Sequence, residues 1–243
     1  MAFNYEPEII LVNTQIPENL GFVARAMLNF GLKKLRLVSP KFELTNEKII
    51  PLAAGADKII ENMKVYSCYS KAINDFNFLI ACTTRDRELK KVQLSPKEAV
   101  NEALSNTKVK NKVGFVFGPE KSGLTNSHLS VVDNILTIKA NPEFSSINLS
   151  HAVIIVCYEW MKLNQQLPNK RGMKKKVKKE KLLFFFNHLE QMLDQSGFIK
   201  TLERKEKIIL KIKNIFSKNQ LEDNEIDILL GIFSSLFKSK KIK

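Results

Sequence analysis

The chain has 243 residues, 44% of them hydrophobic, which is enough to bury a sizeable core and excludes a disordered tail. The net charge of +14 favours a polyanionic partner, nucleic acid before a membrane, although a lysine-rich composition is the alternative explanation. Three scattered cysteines show neither disulfide nor metal-site spacing. No signal-peptide pattern opens the chain, and no apolar run is long enough to span a membrane. A cytoplasmic protein without a membrane partner is expected.

Strand and helix patterns alternate from the start of the chain. Ile9–Val12 is a compact apolar strand candidate, and Leu35–Val38 is a second one. Between them, Leu20–Phe30 has apolar residues at helical spacing, with Gly31 as a plausible stop. A strand, a helix and a strand within about 30 residues predict a βαβ unit, which requires a parallel sheet.

The same alternation continues over the next hundred residues. Ser95, Pro96 and Glu98 form a capping-box pattern that opens a helix extending to about Ser105. The other predicted elements are a short helix over Leu52–Ile60, strands over Phe78–Thr83, Val113–Phe117 and Ile135–Ile138, and a long apolar helix over Leu149–Met161. About five strands alternating with helices predict the α/β class.

The composition changes after Gln166. Pro168–Lys181 carries eight basic residues and one acidic residue, which is half of the net charge of +14. Such a block is typical of a solvated linker that contacts phosphate. Helical patterns follow over Leu182–Gln195, Glu203–Phe216 and Glu225–Phe237. The predicted domains are a catalytic α/β domain over residues 1–167, a basic linker over 168–181 and a helical module over 182–243.

Two loops that follow strands are candidate ligand sites. Gly118 and Gly123 lie directly after the strand Val113–Phe117 and indicate a tight turn or a close approach to a ligand. A phosphate-binding P-loop is not supported, because Leu124 occupies the position where that loop requires lysine. The second loop, residues 139–148, ends in polar residues that can cap the following helix. Adjacent loops of this kind would offer backbone groups to a ligand.

Charged and polar side chains near other strand ends are weaker candidates. Asn19 lies in the cap region of the first helix, and Arg25 lies on its second turn among apolar neighbours, where a guanidinium needs either a partner or solvent. Arg85 and Arg87 follow a strand end, where an open α/β sheet binds ligands. The histidines lack metal-ligand spacing, so no metal is expected.

Three motifs carry a resemblance to a known family. The segments PENLGFVARAMLNFG, VFGPEKSGLT and ILTIKANPEFSSINLSHAV occur in this order and resemble the signature motifs of the SpoU (TrmH-type) branch of the SPOUT RNA ribose 2′-O-methyltransferases. The segments FFFNHLEQMLDQSGFIK and IDILLGIF further resemble the tRNA (cytidine/uridine-32)-2′-O-methyltransferases of the TrmJ type. The similarity therefore covers nearly the whole chain.

The resemblance implies a fold and a cofactor that patterning alone does not. The α/β domain, with its mostly parallel sheet, would be threaded into a trefoil knot, an exception to the rule that folds are unknotted. S-adenosylmethionine would bind in the knot loops, held largely by main chain, and leave as S-adenosylhomocysteine. The matching cofactor positions are Thr83, Thr84, Gly118, Ile138, Ser145, Ser146 and Ile147.

The resemblance also implies catalytic residues and partners. The catalytic positions are Asn19, Arg25, Glu120, Ser145 and Asn148. A guanidinium is a poor proton acceptor, so Arg25 is expected to orient a phosphate or stabilise a developing oxyanion. Contacts to tRNA are expected from Arg25, Arg85, Arg87, Lys174, Lys175 and Lys176. The family is dimeric, with each active site completed at the interface.

Two other functions stay open at this point. A related enzyme could methylate ribosomal RNA or another tRNA position, because no residue identifies the target nucleotide. A non-catalytic RNA-binding protein on the same scaffold is the other alternative, and the retained motif residues Asn19, Arg25 and 145–148 argue against it.

Overall fold

The structure is a computed structural model, and it describes residues 6–84, 91–164, 177–199, 201–218 and 221–240. Within these residues, a seven-stranded sheet forms the centre of the molecule, with the order β3-β2-β1-β6-β4-β7-β5. The strands are β1 (Glu8–Val12), β2 (Leu35–Val38), β3 (Lys64–Tyr66), β4 (Phe78–Cys82), β5 (Gln93–Leu94), β6 (Val113–Phe117) and β7 (Asn134–Leu136). Every pairing between them is parallel.

Helices connect the strands and continue beyond the sheet. They are α1 (Pro17–Asn29), α2 (Ile49–Ala53), α3 (Asp57–Glu61), α4 (Tyr69–Ile73), α5 (Pro96–Lys108), α6 (Asn126–Ser130), α7 (Leu149–Asn164), α8 (Lys179–Gln195), α9 (Leu202–Lys218) and α10 (Asp223–Lys240), and a 3₁₀ turn lies at Pro142–Phe144. Among the described residues, no helix is both long enough and apolar enough to cross a membrane.

The α/β class and the parallel sheet are confirmed, and the predicted strands coincide with β1, β2, β4, β6 and β7. The capping box at Ser95 is present, and Gly31 follows α1 with a φ of +77°, as a helix stop requires. The implied trefoil knot and the domain boundaries stay predictions.

Two details of the prediction are wrong. Residues 52–60 form parts of two helices and not one, because Ala54 and Gly55 adopt left-handed backbone conformations with φ of +46° and +89°. The edge strands β3 and β5 were not predicted, since they are only three and two residues long and lie largely outside the core.

The helices cover both faces of the sheet. On one face, α1, α2, α3, α5 and α7 pack around a core that contains the fully buried Phe115 and Trp160. On the other face, α4 and α6 pack together with the three C-terminal helices, and the buried Phe185 of α8 joins the same cluster as Ile10 and Val116 of the sheet. The C-terminal helices therefore form part of the hydrophobic core instead of extending from it.

A buried ion pair fixes the start of α8 to the sheet. Lys179 Nζ lies 2.8 Å from Asp133 Oδ2, and the two side chains are only 2% and 5% exposed. The same carboxylate oxygen accepts a hydrogen bond from the backbone N–H of Leu79. The backbone N–H of Lys179 also donates to the carbonyl of Phe76. The first turn of α8 thus replaces its missing intrahelical partners with groups of the α/β core.

Replacing Lys179 by methionine is expected to lower the free energy of unfolding by about 3–5 kcal/mol, because it leaves the Asp133 carboxylate buried without its cation. Lys181→Met provides the matched control, since Lys181 pairs with Asp227 at the surface and its loss should cost less than about 1 kcal/mol. Urea denaturation measures both values. Equal losses from the two variants would contradict a docking role for Lys179.

Candidate active site

A cavity of about 370 Å³ opens at the carboxyl ends of β4, β6 and β7. These three strands are neighbours in the sheet, so the loops that follow them meet at one edge, which is where open parallel sheets bind ligands. The cavity is lined by Cys82, Thr83, Thr84, Phe117, Gly118, Pro119, Glu120, Lys121, Gly123, Ile138, Ser145, Ser146, Ile147, Leu149 and Ala152.

Every residue predicted to bind the cofactor lines this cavity. The loop after β4 supplies Thr83 and Thr84, the loop after β6 supplies Gly118, and the chain after β7 supplies Ile138 and residues 145–147. Hydrogen bonds hold two of these loops together: the backbone N–H of Thr83 donates to the carbonyl of Leu136, and Thr137 Oγ1 donates to the carbonyl of Thr83. Segments far apart in sequence thus form one wall.

Glycines shape the loop after β6. A Cβ atom on Gly118 would lie 2.5 Å from the backbone nitrogen of Leu124, so the loop closes on itself at a distance that no other residue allows. Gly123 has a φ of +64° and donates its N–H to the carbonyl of Pro119. The two glycines therefore make a compact turn whose outer surface forms part of the cavity.

The lining groups suit a ligand with both apolar and polar parts. Ile138, Ile147 and Leu149 offer an apolar wall, and the side chains of residues 83, 84, 145 and 146 carry hydroxyl groups. Burial raises the pKa of the Cys82 thiol to about 12, so this group stays neutral and does not act as a nucleophile at neutral pH. The cavity can therefore hold a neutral or polar ligand through main-chain groups and hydroxyls on one side and apolar contacts on the other.

A chain of hydrogen bonds joins three motif residues. Asn19 Nδ2 donates to Glu120 Oε1 at 2.7 Å, and Asn148 Nδ2 donates to Asn19 Oδ1 at 3.0 Å. Asn148 Oδ1 accepts a hydrogen bond from the backbone N–H of Ser150. Asn148 therefore caps α7, as predicted for this loop. The chain links the loop after β6, the start of α1 and the start of α7.

Glu120 also caps α1 from a distant part of the chain. Ile16, the residue before this helix, has no capping side chain. The Glu120 carboxylate instead accepts hydrogen bonds from the backbone N–H groups of Gln15, at 2.8 Å, and Ile16, at 3.3 Å. With the bond from Asn19, three donors use this carboxylate, which therefore positions the loops around the cavity.

Replacing Glu120 by alanine is expected to lower the free energy of unfolding by about 1–3 kcal/mol, because three donors at the start of α1 lose their shared acceptor. Glu61→Ala is the matched control, since Glu61 is exposed at the end of α3. Thermal denaturation of both variants gives the comparison. A Glu120 variant as stable as the Glu61 variant would contradict the capping role.

Arg25 lies in a separate groove of about 290 Å³ between α1 and α7. Among the residues that the structure describes, its exposed guanidinium makes no hydrogen bond or ion pair. The groove is lined by Phe22, Arg25, Ala26, Asn29, Asn148, Ser150, His151 and Ile154. Asn148 connects this groove, through Asn19, to Glu120 in the cavity wall.

Segment 145–154 contributes to both sites. Its residues 145, 146, 147, 149 and 152 line the cavity, and its residues 148, 150, 151 and 154 line the groove. The first turn of α7 therefore separates Arg25 from the cavity within one chain. Glu120 and Ser145 lie in the cavity wall, and Asn19 bridges the two sites.

Several residues that were predicted to contact RNA lie in parts of the chain that the structure does not describe. Arg85, Arg87, Lys174, Lys175 and Lys176 lie outside the described residues, and their RNA contacts stay predictions. Within the described ranges, no group of three or more histidine, cysteine, aspartate or glutamate side chains could hold a metal ion.

Asn29, His151 and Ile154 were not predicted to accompany Arg25 in the groove. Phe22, Arg25 and Asn29 recur at helical spacing along α1, and His151 and Ile154 do so along α7. Phe22 belongs to the apolar pattern of α1, and its 40% exposure is visible only in the structure, so the sequence offered no signal for the groove.

Comparison with known proteins identifies the family of the chain. Residues 6–158 match the model of the SpoU rRNA Methylase family, and residues 180–242 match that of the tRNA methyltransferase TrmJ, C-terminal domain. The chain is 35% identical, over 95% of its length and 96% of the relative, to a tRNA (cytidine/uridine-2′-O-)-methyltransferase TrmJ of Pectobacterium atrosepticum. It is 34% identical to an uncharacterized tRNA/rRNA methyltransferase of Haemophilus influenzae, covering 95% of this chain and 94% of the relative.

A solved structure agrees over nearly the whole chain. The crystal structure of TrmJ from Z. mobilis ZM4 superposes with a TM-score of 0.86 at 36% identity, covering 95% of this chain and 99% of that one. The similarity includes the C-terminal helices as well as the sheet. The chain therefore belongs to the SpoU rRNA methylase family and is an RNA 2′-O-methyltransferase of the TrmJ type.

Proposed function

We propose that the protein methylates a ribose 2′-hydroxyl of tRNA, at cytidine or uridine 32 of the anticodon loop, with S-adenosylmethionine as the methyl donor. The observation that carries this proposal is the cavity at β4, β6 and β7, which unites the seven expected cofactor positions. The match of residues 180–242 to the TrmJ C-terminal domain supports tRNA over ribosomal RNA. A cytoplasmic location follows from a tRNA substrate.

The cavity residues would hold the methyl donor. Backbone groups of Thr83, Gly118 and Ile138 would bind the adenosine part, and the loop 145–147 would close over it. The bound sulfonium supplies an activated methyl group, so the protein contributes mainly positioning and exclusion of water. Ser145 lies in the wall, where its hydroxyl can contact the donor or the ribose.

Arg25 would act on the RNA. Its guanidinium, which has no partner in the part of the chain that the structure describes, offers five N–H donors and a permanent positive charge, which suit a phosphate or a developing oxyanion. Asn19, Glu120 and Asn148 would be positioning residues, because their side chains bond to one another or to the backbone. Arg85, Arg87 and Lys174–Lys176 would contact the tRNA backbone and add salt dependence to binding.

The proposed enzyme is a homodimer with its active sites at the interface. Phe22, Ile154 and Tyr158 are 40%, 36% and 48% exposed on the adjacent α1 and α7, where they form one apolar surface beside Arg25. A second copy seated on this surface would cover these side chains. It would also bring the Arg25 groove of one protomer to the cofactor cavity of its partner. Within one chain, α7 separates the groove from the cavity.

Transfer of labelled methyl groups from S-adenosylmethionine to bulk unmodified tRNA, and separately to ribosomal RNA, tests the proposal. Label in tRNA, at an alkali-resistant ribose linkage, is the expected result. Label confined to ribosomal RNA would favour the second candidate function, which the family description names. Failure to bind the methyl donor would favour the non-catalytic RNA-binding alternative.

A further inference from the structure

Among the described residues that line the groove between α1 and α7, His151 is the one titratable side chain besides Arg25. Both side chains are exposed, one on each helix of the groove. The remaining lining residues, Phe22, Ala26, Asn29, Asn148, Ser150 and Ile154, carry no charge at any pH relevant to catalysis. The groove therefore combines a permanent cation with an imidazole.

Methylation of a hydroxyl releases a proton, and few groups near the groove can take it. A guanidinium stays protonated in proteins, and amides are not useful bases, which excludes Arg25, Asn29 and Asn148. The Glu120 carboxylate is occupied by three hydrogen bonds, from Gln15, Ile16 and Asn19. An imidazole is the side chain that ordinarily exchanges a proton near neutral pH.

We propose that His151 accepts the proton of the ribose 2′-hydroxyl, while Arg25 in the same groove orients the nucleotide. This inference rests on the proposed function. A ring nitrogen of neutral His151 takes the proton while the ribose oxygen forms a bond to the methyl carbon. The bond between that carbon and sulfur breaks, and its electron pair stays on sulfur. The imidazole gains the positive charge that the sulfonium loses, so the total charge does not change.

The position of His151 supports this role over a structural one. Its side chain is exposed at the start of α7, three residues after Asn148, whose amide is held by Asn19. No hydrogen bond to His151 occurs among the described residues, so its ring is available to a ligand. By contrast, His128 bonds to Thr125 in a capping box, and His188 lies 3.4 Å from Ser234 Oγ on the C-terminal helices.

The test compares His151→Gln with His188→Gln in single turnovers of bound tRNA and methyl donor, from pH 5.5 to 9. The glutamine at position 151 can still donate and accept hydrogen bonds but cannot take up the proton. We expect a roughly 10²–10⁴-fold loss of rate for His151→Gln, and we expect the rate of the wild-type protein, but not that of the variant, to fall at acid pH. The His188 variant should match the wild-type protein in both respects.

Two further readouts separate proton transfer from a loss of structure or binding. Gel filtration and tRNA binding should be unchanged in His151→Gln. In the protein without methyl donor, ¹³C-labelled imidazole signals can be assigned easily because the chain has three histidines. An anticodon stem-loop should shift the His151 signal, and the same RNA with deoxyribose at the methylated nucleotide should shift it less.

The outcomes distinguish this inference from the proposed function. If the wild-type protein transfers no methyl group to tRNA, the proposed function fails. If it does, and His151→Gln keeps the wild-type rate and pH profile, only the proton-acceptor role is wrong. A slow variant that retains the wild-type pH profile, or one that loses tRNA binding, would also overturn it by showing that His151 serves binding alone.

Discussion

Alanine in place of Arg25 is expected to lower the rate of methyl transfer by roughly 10²–10³-fold while leaving the affinity for S-adenosylmethionine unchanged. Arg25 lies in the groove and does not line the cofactor cavity, so the substitution should impair the positioning of the RNA and not the binding of the cofactor. Single-turnover rates and calorimetric binding of the cofactor measure the two effects.

Arg25→Lys refines this prediction. Lysine keeps the charge but lacks the planar fork of N–H donors, so it should restore little of the rate if Arg25 binds a phosphate or an oxyanion at two points. Arg204→Lys is the control, since Arg204 is exposed on α9 of the C-terminal helices. A lysine variant that retains most of the wild-type rate would contradict two-point binding and leave a role for charge alone.

Alanine in place of Gly118 is expected to weaken cofactor binding by roughly ten- to a hundredfold, which corresponds to the 1–3 kcal/mol cost of overpacking. Its Cβ would lie 2.5 Å from the nitrogen of Leu124 and 2.7 Å from the carbonyl carbon of Gly123. Both are backbone atoms, so the loop itself must move, and the loop forms one wall of the cavity. Calorimetry with S-adenosylmethionine measures the change.

Gly231→Ala is the matched control for Gly118→Ala. Gly231 lies within α10, where a Cβ atom meets nothing within 4 Å, and it does not line the cavity. Cofactor affinity should equal that of the wild-type protein. If Gly118→Ala also binds the cofactor with wild-type affinity, the loop after β6 does not form the binding site.

The Arg25→Ala and Gly118→Ala variants together test the proposed dimer. Co-expressed Arg25→Ala and Gly118→Ala chains form mixed dimers in which one site combines an intact cavity with an intact arginine, provided that Arg25 acts on the partner's cavity. Random pairing of the two chains should then restore about a quarter of the wild-type rate. Activity no higher than that of the two separate variants would mean that Arg25 serves the cavity of its own chain.

Much of the fold could be predicted from sequence because its central strands are largely apolar runs. β1, β2 and β6 are buried along their whole length, and apart from the mutually paired Glu8 and Arg36 they consist of apolar residues, as strands covered on both faces require. The edge strands β3 and β5 lack this signal, since partial exposure removes the constraint on composition. The break in the helix at Ala54 requires a left-handed conformation that alanine does not signal.

The cofactor cavity and the groove differ in how far sequence could define them. Residues of the cavity lie in loops after adjacent parallel strands, and the family motifs mark them, so all seven expected positions line it. The network from Glu120 to Asn148 joins residues 101 and 129 positions apart, which no local pattern reveals. Likewise, the docking of α8 through Lys179 depends on a buried partner, whereas the surrounding basic run indicates a solvated segment.

The most direct test of the account uses two tRNA transcripts that differ only in the sugar of nucleotide 32. Each is incubated with the protein and labelled S-adenosylmethionine. The label incorporated into each transcript is measured, and the alkali-resistant linkage is mapped in the ribose-containing transcript. Methylation of the ribose-containing transcript at nucleotide 32, with none in the deoxyribose transcript, is the predicted result. Equal labelling of both transcripts would show that the methyl group goes to another position or to a base, and would contradict the proposed reaction.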